Sequence, residues 1–370
     1  MSDVVGMGVV GAGAIGMRGA LTHLSMADVQ DRVKVTAVCD PVPGRAAAAV
    51  EKFGAGTAYV EYERLLADPS VDAVTLCSPI GLHYEQGLAA IAAGKHVHFN
   101  KTMATTIEQC DRLIAAAAEA GVHLVACPGM MLMPLNRRIR GRILAGEIGK
   151  VVWAITGAAP ALYHINEEYR TGEDVLTSVD PTWYFKRPGG GPMYDVTVYC
   201  LHNLTGLLGP AKAVAALSGI AVPQRTWLDR TIDCDMDDST FILIDFGEAI
   251  FALAYGTYAG SVTQGFHPNI YGTAGSVVGA ELNGQPMRLE GDHEPHVVGE
   301  HQGKPESHVF EDVMQLVDWV REGRASIATA EHARHVIDII ESAYRAAETG
   351  RRQDLTTTFE PLTLDDLADV

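Results

Sequence analysis

The sequence predicts an α/β amino-terminal domain with a doubly wound parallel sheet, followed by a second domain that contains one large sheet. As far as residue 128, short apolar runs alternate with segments of helical periodicity, which is typical of parallel βαβ units. The first apolar run leads into a glycine-rich turn at residues 11–16. Beyond residue 128, strand-like runs follow one another with Gly247 and Gly256 between or beside them, which favours a sheet-based second domain.

Length and composition limit the class of protein. A chain of 370 residues exceeds one ordinary hydrophobic core, so we expect two domains, at residues 1–128 and 129–370. The formal net charge of −18 argues against nucleic acid and membranes as partners, because both bind basic surfaces. The six cysteines stand singly, as in reduced proteins. No apolar run approaches the roughly 18 residues of a membrane span, so we expect a cytoplasmic protein.

The elements of the first domain are predicted in order from apolar runs and helix-end signals. A strand at Val4–Val10 precedes the glycine turn, and a helix-compatible segment, Met17–Met26, follows it. Thr105 and Glu108 have the spacing of a capping box, and Gly121 stands just past a predicted helix end. The other elements are strands at 33–39, 73–77, 96–99 and 123–126 and helices at 43–53, 84–93 and 107–120.

The glycine turn has the G-x-G-x-x-G spacing of a dinucleotide-binding fingerprint. Gly11 permits the tight turn, Gly13 lets a pyrophosphate approach the backbone, and Gly16 lets the helix pack against the strand. The N–H groups at the start of the helix then point at the phosphates. The residues predicted to bind the phosphates are Gly11, Gly13, Ala14, Ile15 and Gly16.

The acid at the end of the second strand bears on which dinucleotide is bound. Asp40 stands about two dozen residues beyond the last glycine, where a ribose-binding acid is expected. A carboxylate accepts hydrogen bonds from a ribose 2′-hydroxyl and repels a 2′-phosphate, so NAD is favoured over NADP. Arg45 would favour NADP instead if its side chain reached a 2′-phosphate. Its alternatives are to cover the adenine or to pair with a nearby acid.

Two segments follow predicted parallel strands, and they are Ser78-Pro79 and Asn100-Lys101-Thr102. Ligands of doubly wound sheets bind beyond the carboxyl ends of the strands. We therefore expect Ser78, Pro79, Asn100 and Lys101 at the cofactor crevice. This position makes Lys101 a candidate catalytic residue, and the alternative is a solvated loop cation.

A second candidate site follows the triple glycine at 189–191. Asp195, Tyr199 and His202 have helical spacing, so Tyr199 lies roughly 40° and His202 roughly 20° from the Asp195 direction if the segment is an α-helix. These three side chains would form one proton-handling surface. The alternative is an amphipathic helix whose polar stripe faces solvent or a domain cleft.

Several short motifs occur in one order along nearly the whole chain. They are the glycine turn at 11–16, Ser78-Pro79-Ile80-Gly81-Leu82-His83, Gly94-Lys95-His96-Val97, Asn100-Lys101-Thr102, Gly146-Glu147-Ile148-Gly149, Trp183 before the triple glycine and Asp195, and Ile270-Tyr271-Gly272-Thr273-Ala274-Gly275-Ser276. Together they resemble the Gfo/Idh/MocA oxidoreductase family. The resemblance implies a Rossmann domain that binds NAD(P), with His83 among its cofactor contacts. It also implies a carboxy-terminal α+β domain with a large, open, mostly antiparallel sheet.

The resemblance further implies an NAD-dependent oxidoreductase that acts on a secondary alcohol of a sugar, glycoside or cyclitol. The exposed face of the second sheet would pair two subunits in a homodimer or homotetramer, and a late helix would pack back on the first domain. Two alternatives stay open. One is an oxidoreductase that keeps and internally recycles a tightly bound NAD(P), and the other is a catalytically silent dinucleotide-binding sensor.

The chain also departs from the family pattern. The E-K-P motif reads Asn100-Lys101-Thr102, and the histidine of D-x-G-x-H is replaced by Tyr199. Some members of the family have a proton-transferring tyrosine at that place. An unperturbed tyrosine has a pKa near 10, so Tyr199 would need the positive charge of Lys101 to act as the base. His202 is the rival base, because an ordinary histidine titrates near neutral pH, and Asp195 would orient Lys101 or the substrate hydroxyl.

Two segments of the second domain are rich in polar and aromatic residues. The stretch 162–188 is predicted to line the substrate, and the substrate-binding residues expected are Tyr163, His164, Trp183, Lys186, Asp195 and His202. Four histidines lie among acids between 292 and 308, namely His293, His296, His301 and His308. Imidazole and carboxylate suit zinc or manganese, but the spacing matches no tight ligand motif. We therefore expect a solvated loop without a metal, from which His308 could reach the substrate.

The remaining elements of the second domain are predicted from short apolar runs and helical periods. The strands are expected at 153–160, 214–220, 240–246, 249–255 and 267–271, and the helices at 309–321 and 330–348. Asp233, Asp235, Asp237 and Asp238 are interpreted as a hairpin edge, because they lack the glycine and terminal glutamate of a calcium loop. The acidic tail after Asp354 is expected to pack loosely.

Overall fold

The first domain contains a six-stranded, entirely parallel sheet. The computed structural model describes residues 4–162, 165, 167–262 and 266–367. The strands lie in the order β3-β2-β1-β4-β5-β6, which is the doubly wound arrangement that the βαβ pattern predicts. Their bounds are β1 Val5–Val10, β2 Val33–Cys39, β3 Thr57–Tyr59, β4 Ala73–Leu76, β5 His96–Phe99 and β6 Leu124–Ala126.

Helices connect these strands on both faces of the sheet. The helix after the glycine turn is π-helical over Gly16–Leu21 and α-helical over Thr22–Leu24. The other helices of the first domain are α1 Arg45–Phe53, α2 Tyr62–Leu66, α3 His83–Ala92 and α4 Ile107–Ala120, and α5 Pro134–Leu144 follows the last strand of its sheet. The helix α4 has the bounds that the sequence predicts, whereas α2, α5 and β3 were not predicted.

The start of α4 corrects one detail of the prediction. The cap is Thr106, whose side chain accepts a hydrogen bond from the N–H of Gln109. The Gln109 side chain in turn accepts hydrogen bonds from the N–H and the hydroxyl of Thr105. The cap is therefore one residue later than the Thr105 and Glu108 spacing indicates, and the N3 side chain of Gln109 binds the residue before the cap. Gly121 ends the helix in the left-handed conformation, with φ of 68°, as predicted.

The second domain contains a ten-stranded mixed sheet with mostly antiparallel pairs. The strand order is β17-β16-β15-β14-β7-β12-β11-β8-β18, and β13 pairs with β7 beside this path. The pair β7 and β12 is parallel. The bounds are β7 Val151–Pro160, β8 Ala213–Gly219, β11 Ser239–Gly247, β12 Ile250–Thr257, β13 Ser261–Val262, β14 Asn269–Gly272, β15 Ser276–Val278, β16 Glu281–Leu282, β17 Gln285–Pro286 and β18 Gln353–Asp354. The predicted fold class of both parts is confirmed.

Among the described residues beyond α5, four helices and one separate hairpin complete this domain. The helices are α6 Glu168–Thr171, α7 Val198–Leu208, α8 Ser307–Glu322 and α9 Ala330–Thr349. A π-helical turn at Met193–Thr197 leads into α7. The hairpin of β9 Gln224–Trp227 and β10 Arg230–Asp233 was not predicted as strands.

The large sheet has one covered face and one bare face. The helices α7 and α9 cover one face, where alternate residues of β11 such as Ile242 and Ile244 are buried. On the opposite face Phe241 and Leu243 of β11 are 47% and 60% exposed. Leu217, Phe251 and Trp153 on the neighbouring strands are also exposed, so this face presents a broad apolar surface.

The helix α8 returns to the first domain and shares its core. Phe310, Val313 and Val317 belong to the same buried cluster as Met17 and Leu21 of the first helix. The approach is close, because a Cβ on Gly19 would lie 2.9 Å from Val309. One core therefore spans the glycine-turn helix and α8, which fixes where the residues at the start of α8 lie relative to the first domain.

The tail after Asp354 packs more closely than expected. The backbone N–H groups of Thr356 and Thr357 donate to the buried Asp338 carboxylate. Phe359 is 7% exposed and stacks on His332, with 4.0 Å between the ring centres. The expectation of loose packing was wrong, because the tail supplies donors and an aromatic ring to buried groups on α9.

Candidate active site

The glycine turn forms a tight cradle at the carboxyl end of β1. Gly11 has a φ of +95°, and a Cβ there would lie 2.8 Å from the Cys77 backbone. A Cβ on Gly16 would lie 1.9 Å from the carbonyl oxygen of Gly11, so the helix packs directly on the turn. Gly13 has only Val179 at 3.5 Å near its Cβ position. These three positions fit a backbone cradle for a pyrophosphate.

Asp40 lies directly beyond β2 and beside this cradle. Its side chain is buried, and its two oxygens accept hydrogen bonds from the N–H groups of Ala12 and Val42, both at 2.9 Å. Each carboxylate oxygen keeps a further lone pair for a ribose hydroxyl. Arg45 Nη1 lies 3.5 Å from Asp40, and Arg45 Nε donates to the Val175 carbonyl at 2.9 Å. Arg45 therefore adopts the acid-pairing alternative.

The middle of the segment 162–188 lies against the cradle. Glu167 pairs with Arg18 of the first helix at 3.0 Å, and Val179 faces Gly13. The role of the segment as a substrate lining stays a prediction. Lys186 Nζ lies 3.8 Å from Asp235, with about two fifths of the lysine side chain exposed. Trp183 stacks on the Tyr184 ring, with 3.9 Å between centres, while Tyr163 and His164 lie outside the described residues.

His83 joins the two loops that follow β4 and β5. Its Nε2 lies 2.9 Å from the Ser78 carbonyl oxygen, and its Nδ1 lies 2.7 Å from the Thr102 carbonyl oxygen. Asn100 accepts a hydrogen bond from the N–H of Lys101 at 2.8 Å. His83 therefore ties together the two loops in which the predicted cofactor residues lie.

Lys101 and Asp195 form an ion pair across the two parts of the chain. Lys101 Nζ lies 2.6 Å from Asp195 Oδ1 and also donates to the backbone carbonyl of Asp195. The Asp195 side chain is fully buried, and the Lys101 side chain is 13% exposed. The ammonium group also stands 5.5 Å from the centre of the Tyr199 ring. Three of the four predicted catalytic residues are thus brought together.

Tyr199 is enclosed between an aromatic ring and a histidine. Its ring stacks on Phe266 with 4.7 Å between centres, and its hydroxyl lies 3.0 Å from His308 Nε2. Burial raises the pKa of Tyr199 well above its ordinary value, and the negative charges of Glu306 and Asp195 add to this effect. The phenolate is therefore strongly disfavoured, even with Lys101 nearby.

The structure places His202 against α9. The ring of His202 is 4.7 Å from the ring of His332 on α9, and burial lowers its pKa to about 3, with the charge of His335 adding to this effect. It lines a small cavity together with Met131 and Thr329. The spacing argument assumed a regular α-helix, whereas the π-helical turn at Met193–Thr197 changes the angle between Asp195 and the residues after it.

The four histidines of 292–308 do not form a solvated loop. His296 lies between Glu311 at 2.9 Å and Asp318 at 3.1 Å. His301 is buried and stacks on Phe310, and His308 meets Tyr199. The expectation of solvation was wrong, because α8 places three of the four rings at or near the junction of the two domains.

A further buried cluster consists of His98, Cys127 and Asp312, which sequence reasoning did not single out. Their ligand-type atoms lie within 4.8 Å of one another. His98 Nε2 lies 2.8 Å from Cys127 Sγ, and His98 Nδ1 lies 2.7 Å from Thr75 Oγ1. Two ligands of one tetrahedral zinc lie about 3.6 Å apart, given bonds of about 2.1 and 2.3 Å. The cluster is therefore a chain of hydrogen bonds, in which burial raises the pKa of Asp312 to about 7.

A dinucleotide cradle in one domain and a lysine–aspartate pair that reaches into the other define a two-domain nicotinamide-dependent oxidoreductase. Comparison with protein families agrees. The model of the oxidoreductase family's NAD-binding Rossmann fold matches residues 5–126, and the model of its C-terminal alpha/beta domain matches residues 140–355. The chain belongs to the Gfo/Idh/MocA oxidoreductase family.

Characterised relatives are similar to this chain over different shares of its length. A 1,5-anhydro-D-fructose reductase from Ensifer adhaerens is 30% identical over 64% of this chain and 66% of its own. A scyllo-inositol 2-dehydrogenase (NADP(+)) from Bacillus subtilis is 26% identical over 94% of this chain and 95% of its own. A D-glucoside 3-dehydrogenase from Escherichia coli is 24% identical over 96% of this chain and 98% of its own.

Solved structures show the same fold. An NAD-binding oxidoreductase from Klebsiella pneumoniae has a TM-score of 0.75 at 21% identity, covering 96% of this chain and all of that one. A levoglucosan dehydrogenase in complex with NADH and levoglucosan has a TM-score of 0.74 at 17% identity, with the same coverage. Among the described residues, no helix has the length and apolar character needed to cross a membrane.

Proposed function

We propose that the protein oxidises a secondary alcohol of a sugar, glycoside or cyclitol, with NAD as its cofactor. The observation that carries the proposal is the pairing of Lys101 with the buried Asp195 beside Tyr199, at the carboxyl ends of the strands. Relatives named for inositol, glucoside and anhydrofructose chemistry support this substrate class. They are named as dehydrogenases and reductases, which does not favour a silent sensor or an internally recycled cofactor.

Lys101, Asp195 and Tyr199 have separate roles in this reaction. When bound, the nicotinamide supplies the hydride acceptor. The Lys101 ammonium stabilises negative charge that develops on the substrate oxygen as its proton leaves. Asp195 holds that ammonium in place through a 2.6 Å contact, and Tyr199, whose ring centre lies 5.5 Å from the same ammonium, is the candidate to receive the proton. Asp195 and Tyr199 are almost fully buried, so water has little access to either side chain.

The preference for NAD over NADP rests on Asp40. A buried carboxylate at the end of β2 accepts hydrogen bonds from a ribose and repels a 2′-phosphate. Arg45 is engaged with Asp40 and Val175, so it is not free to pair with such a phosphate. The relatives include both cofactor types, since one is named for NADP(+) and one neighbouring structure contains NADH. Asp40 therefore supplies the argument that comes from this chain itself.

We also propose that two copies of the chain pair through the bare face of the large sheet. Phe241, Leu243, Leu217, Phe251 and Trp153 all lie on this face and are between 46% and 78% exposed. An apolar patch of this breadth is unusual on a monomer, and an equivalent patch on a second copy is its natural complement. The assembly would be a homodimer or a homotetramer. The free cysteines, five of the six being buried, support a place in the reducing cytoplasm.

The test is a substrate panel with purified protein. Polyols, glycosides and cyclitols are incubated with NAD or NADP, and the formation of reduced cofactor is followed by its absorbance. We expect turnover with at least one member of the panel, with NAD used better than NADP. The matched control is Lys101→Met, which keeps the length of the side chain without its charge. No turnover across the panel, or equal turnover by the control, would refute the proposal.

A further inference from the structure

The proton of the substrate hydroxyl needs a final acceptor, and neither Tyr199 nor His202 is suited to that role. Burial raises the pKa of Tyr199 well above its ordinary value, so Tyr199 is a poor final acceptor. Burial lowers the pKa of His202 to about 3, and its ring is directed at α9. A route to solvent must therefore continue beyond the Tyr199 hydroxyl.

His308 lies at the place where such a route would continue. Its Nε2 is 3.0 Å from the Tyr199 hydroxyl, and the two rings meet edge to face at 77°. Tyr199 is 6% exposed, whereas the His308 side chain is 34% exposed. His308 is therefore the more exposed member of the pair.

The charged and titratable groups around His308 come from three parts of the chain. Glu306, just before α8, lies 3.8 Å from His308 Nε2 and pairs with Arg18 of the first helix at 3.2 Å. Lys101 acts from the loop after β5, and His23 acts from the first helix. Burial lowers the pKa of His308, Lys101 adds to this effect and Glu306 opposes it. The resting imidazole is therefore neutral at pH 7 and able to accept a proton, while Glu306 would stabilise the imidazolium once it forms.

We propose that His308 is the proton acceptor of the reaction and that Tyr199 passes the proton to it. The inference rests on the proposed function, in which the substrate carbon gives up a hydride and its oxygen a proton. The substrate O–H bond breaks as its proton moves to the Tyr199 oxygen, and the electrons of that bond form the carbonyl. In the same step the phenolic proton moves to His308 Nε2, so no free phenolate accumulates. The imidazolium then releases a proton to solvent, which restores the starting state.

The kinetic test compares His308→Gln with the wild type. Glutamine keeps a hydrogen-bonding side chain beside Tyr199 and cannot be protonated near neutral pH. We expect kcat to fall about 100-fold, which is typical for loss of a general base, while KM changes by less than about threefold. The wild-type kcat should fall at acid pH as His308 becomes protonated, and this limb should disappear in the variant. Added imidazole should restore part of the activity of His308→Ala, which a purely structural role would not allow.

Two controls keep the outcomes separate. His293→Gln removes an exposed histidine of the same segment and should leave kcat and its pH profile unchanged. Nitrogen NMR of the NAD-free protein reports the His308 ring directly, and Tyr199→Phe should shift its Nε2 resonance and its titration midpoint but leave His293 unchanged. An unshifted His308 would refute the contact itself.

The remaining outcomes are equally distinct. If the wild type reduces NAD and His308→Gln keeps both its rate and its acid limb, the relay is wrong and the proposed function stands. A slow His308→Gln that keeps the acid limb, with no imidazole rescue of His308→Ala, makes His308 a support for Tyr199 and also overturns the relay. If the wild type reduces NAD with no member of the panel, the proposed function fails and the relay fails with it.

Discussion

The contact of His296 with Glu311 and Asp318 predicts a pH-dependent contribution to stability. Burial alone would lower the pKa of His296, but hydrogen bonds and charge from Asp318 and Glu311 outweigh it and raise the pKa to about 9. Both carboxylates are almost completely buried, and the His296 side chain is 18% exposed. The imidazolium is therefore the form that the folded protein stabilises.

The magnitude follows from the two pKa values. A folded-state pKa of about 9 against an ordinary value of 6.5 corresponds to about 3 kcal/mol of unfolding free energy. Because the pKa is raised on folding, this contribution is fully present below about pH 6.5 and is lost as the pH rises through about 9. Glu311 and Asp318 lie on α8, so the contact stabilises the helix that joins the two parts of the chain.

The assay is urea denaturation of the wild type and His296→Gln at about pH 6 and about pH 9.5, followed by circular dichroism. We expect the variant to be less stable at the lower pH, and the gap to be smaller by about 3 kcal/mol at the higher pH. His293→Gln is the matched control, because that histidine is exposed, and its gap should stay near zero throughout. A gap for His296→Gln that is the same at both pH values would refute the reasoning.

Three further variants test the cofactor, the site and the assembly. Asp40→Ser removes the charge that repels a 2′-phosphate, so the ratio of kcat/KM with NADP to that with NAD should rise at least about tenfold; an unchanged ratio would exclude Asp40 as the ribose ligand. Lys101→Met should lower kcat by about 100-fold or more and should lower the melting temperature, since the buried Asp195 loses its partner; a native kcat would show that the ammonium is not needed. Leu243→Glu places a charge on the bare sheet face and should reduce the molar mass measured by light scattering, whereas an unchanged mass would place the interface elsewhere.

Local signals predicted the first domain well. The bounds of α4 and the last strand before it were predicted residue for residue, because apolar periodicity and helix-end glycines are properties of adjacent residues. The glycine turn was likewise predictable, since the spacing of Gly11, Gly13 and Gly16 states the backbone geometry directly. Errors of one residue arose where two hydroxyl residues compete for one role, as Thr105 and Thr106 do at the start of α4.

The candidate site was predictable only in part. Lys101 and Asp195 stand 94 residues apart, and the family pattern was needed to expect them together. The contact of Tyr199 with His308 spans 109 residues and depends on α8 packing against the first domain. The resemblance implies that a late helix does so, but the periodicity of α8 does not indicate that His308 meets Tyr199. The helical spacing that grouped His202 with Asp195 assumed 100° per residue, and nothing local to that segment indicated the π-helical turn.

The burial of Asp195 explains why the two domains matter to the chemistry. An isolated buried carboxylate is costly, and the cost is offset only when a cation meets it with good geometry. Lys101 comes from the dinucleotide-binding domain and Asp195 from the other, so the pair is complete only when both domains hold their relative positions. Because α8 shares a core with the first helix and also positions His308, the same packing that completes the ion pair sets the distance between Tyr199 and its neighbour. A change that loosens α8 should therefore impair charge stabilisation and proton transfer together.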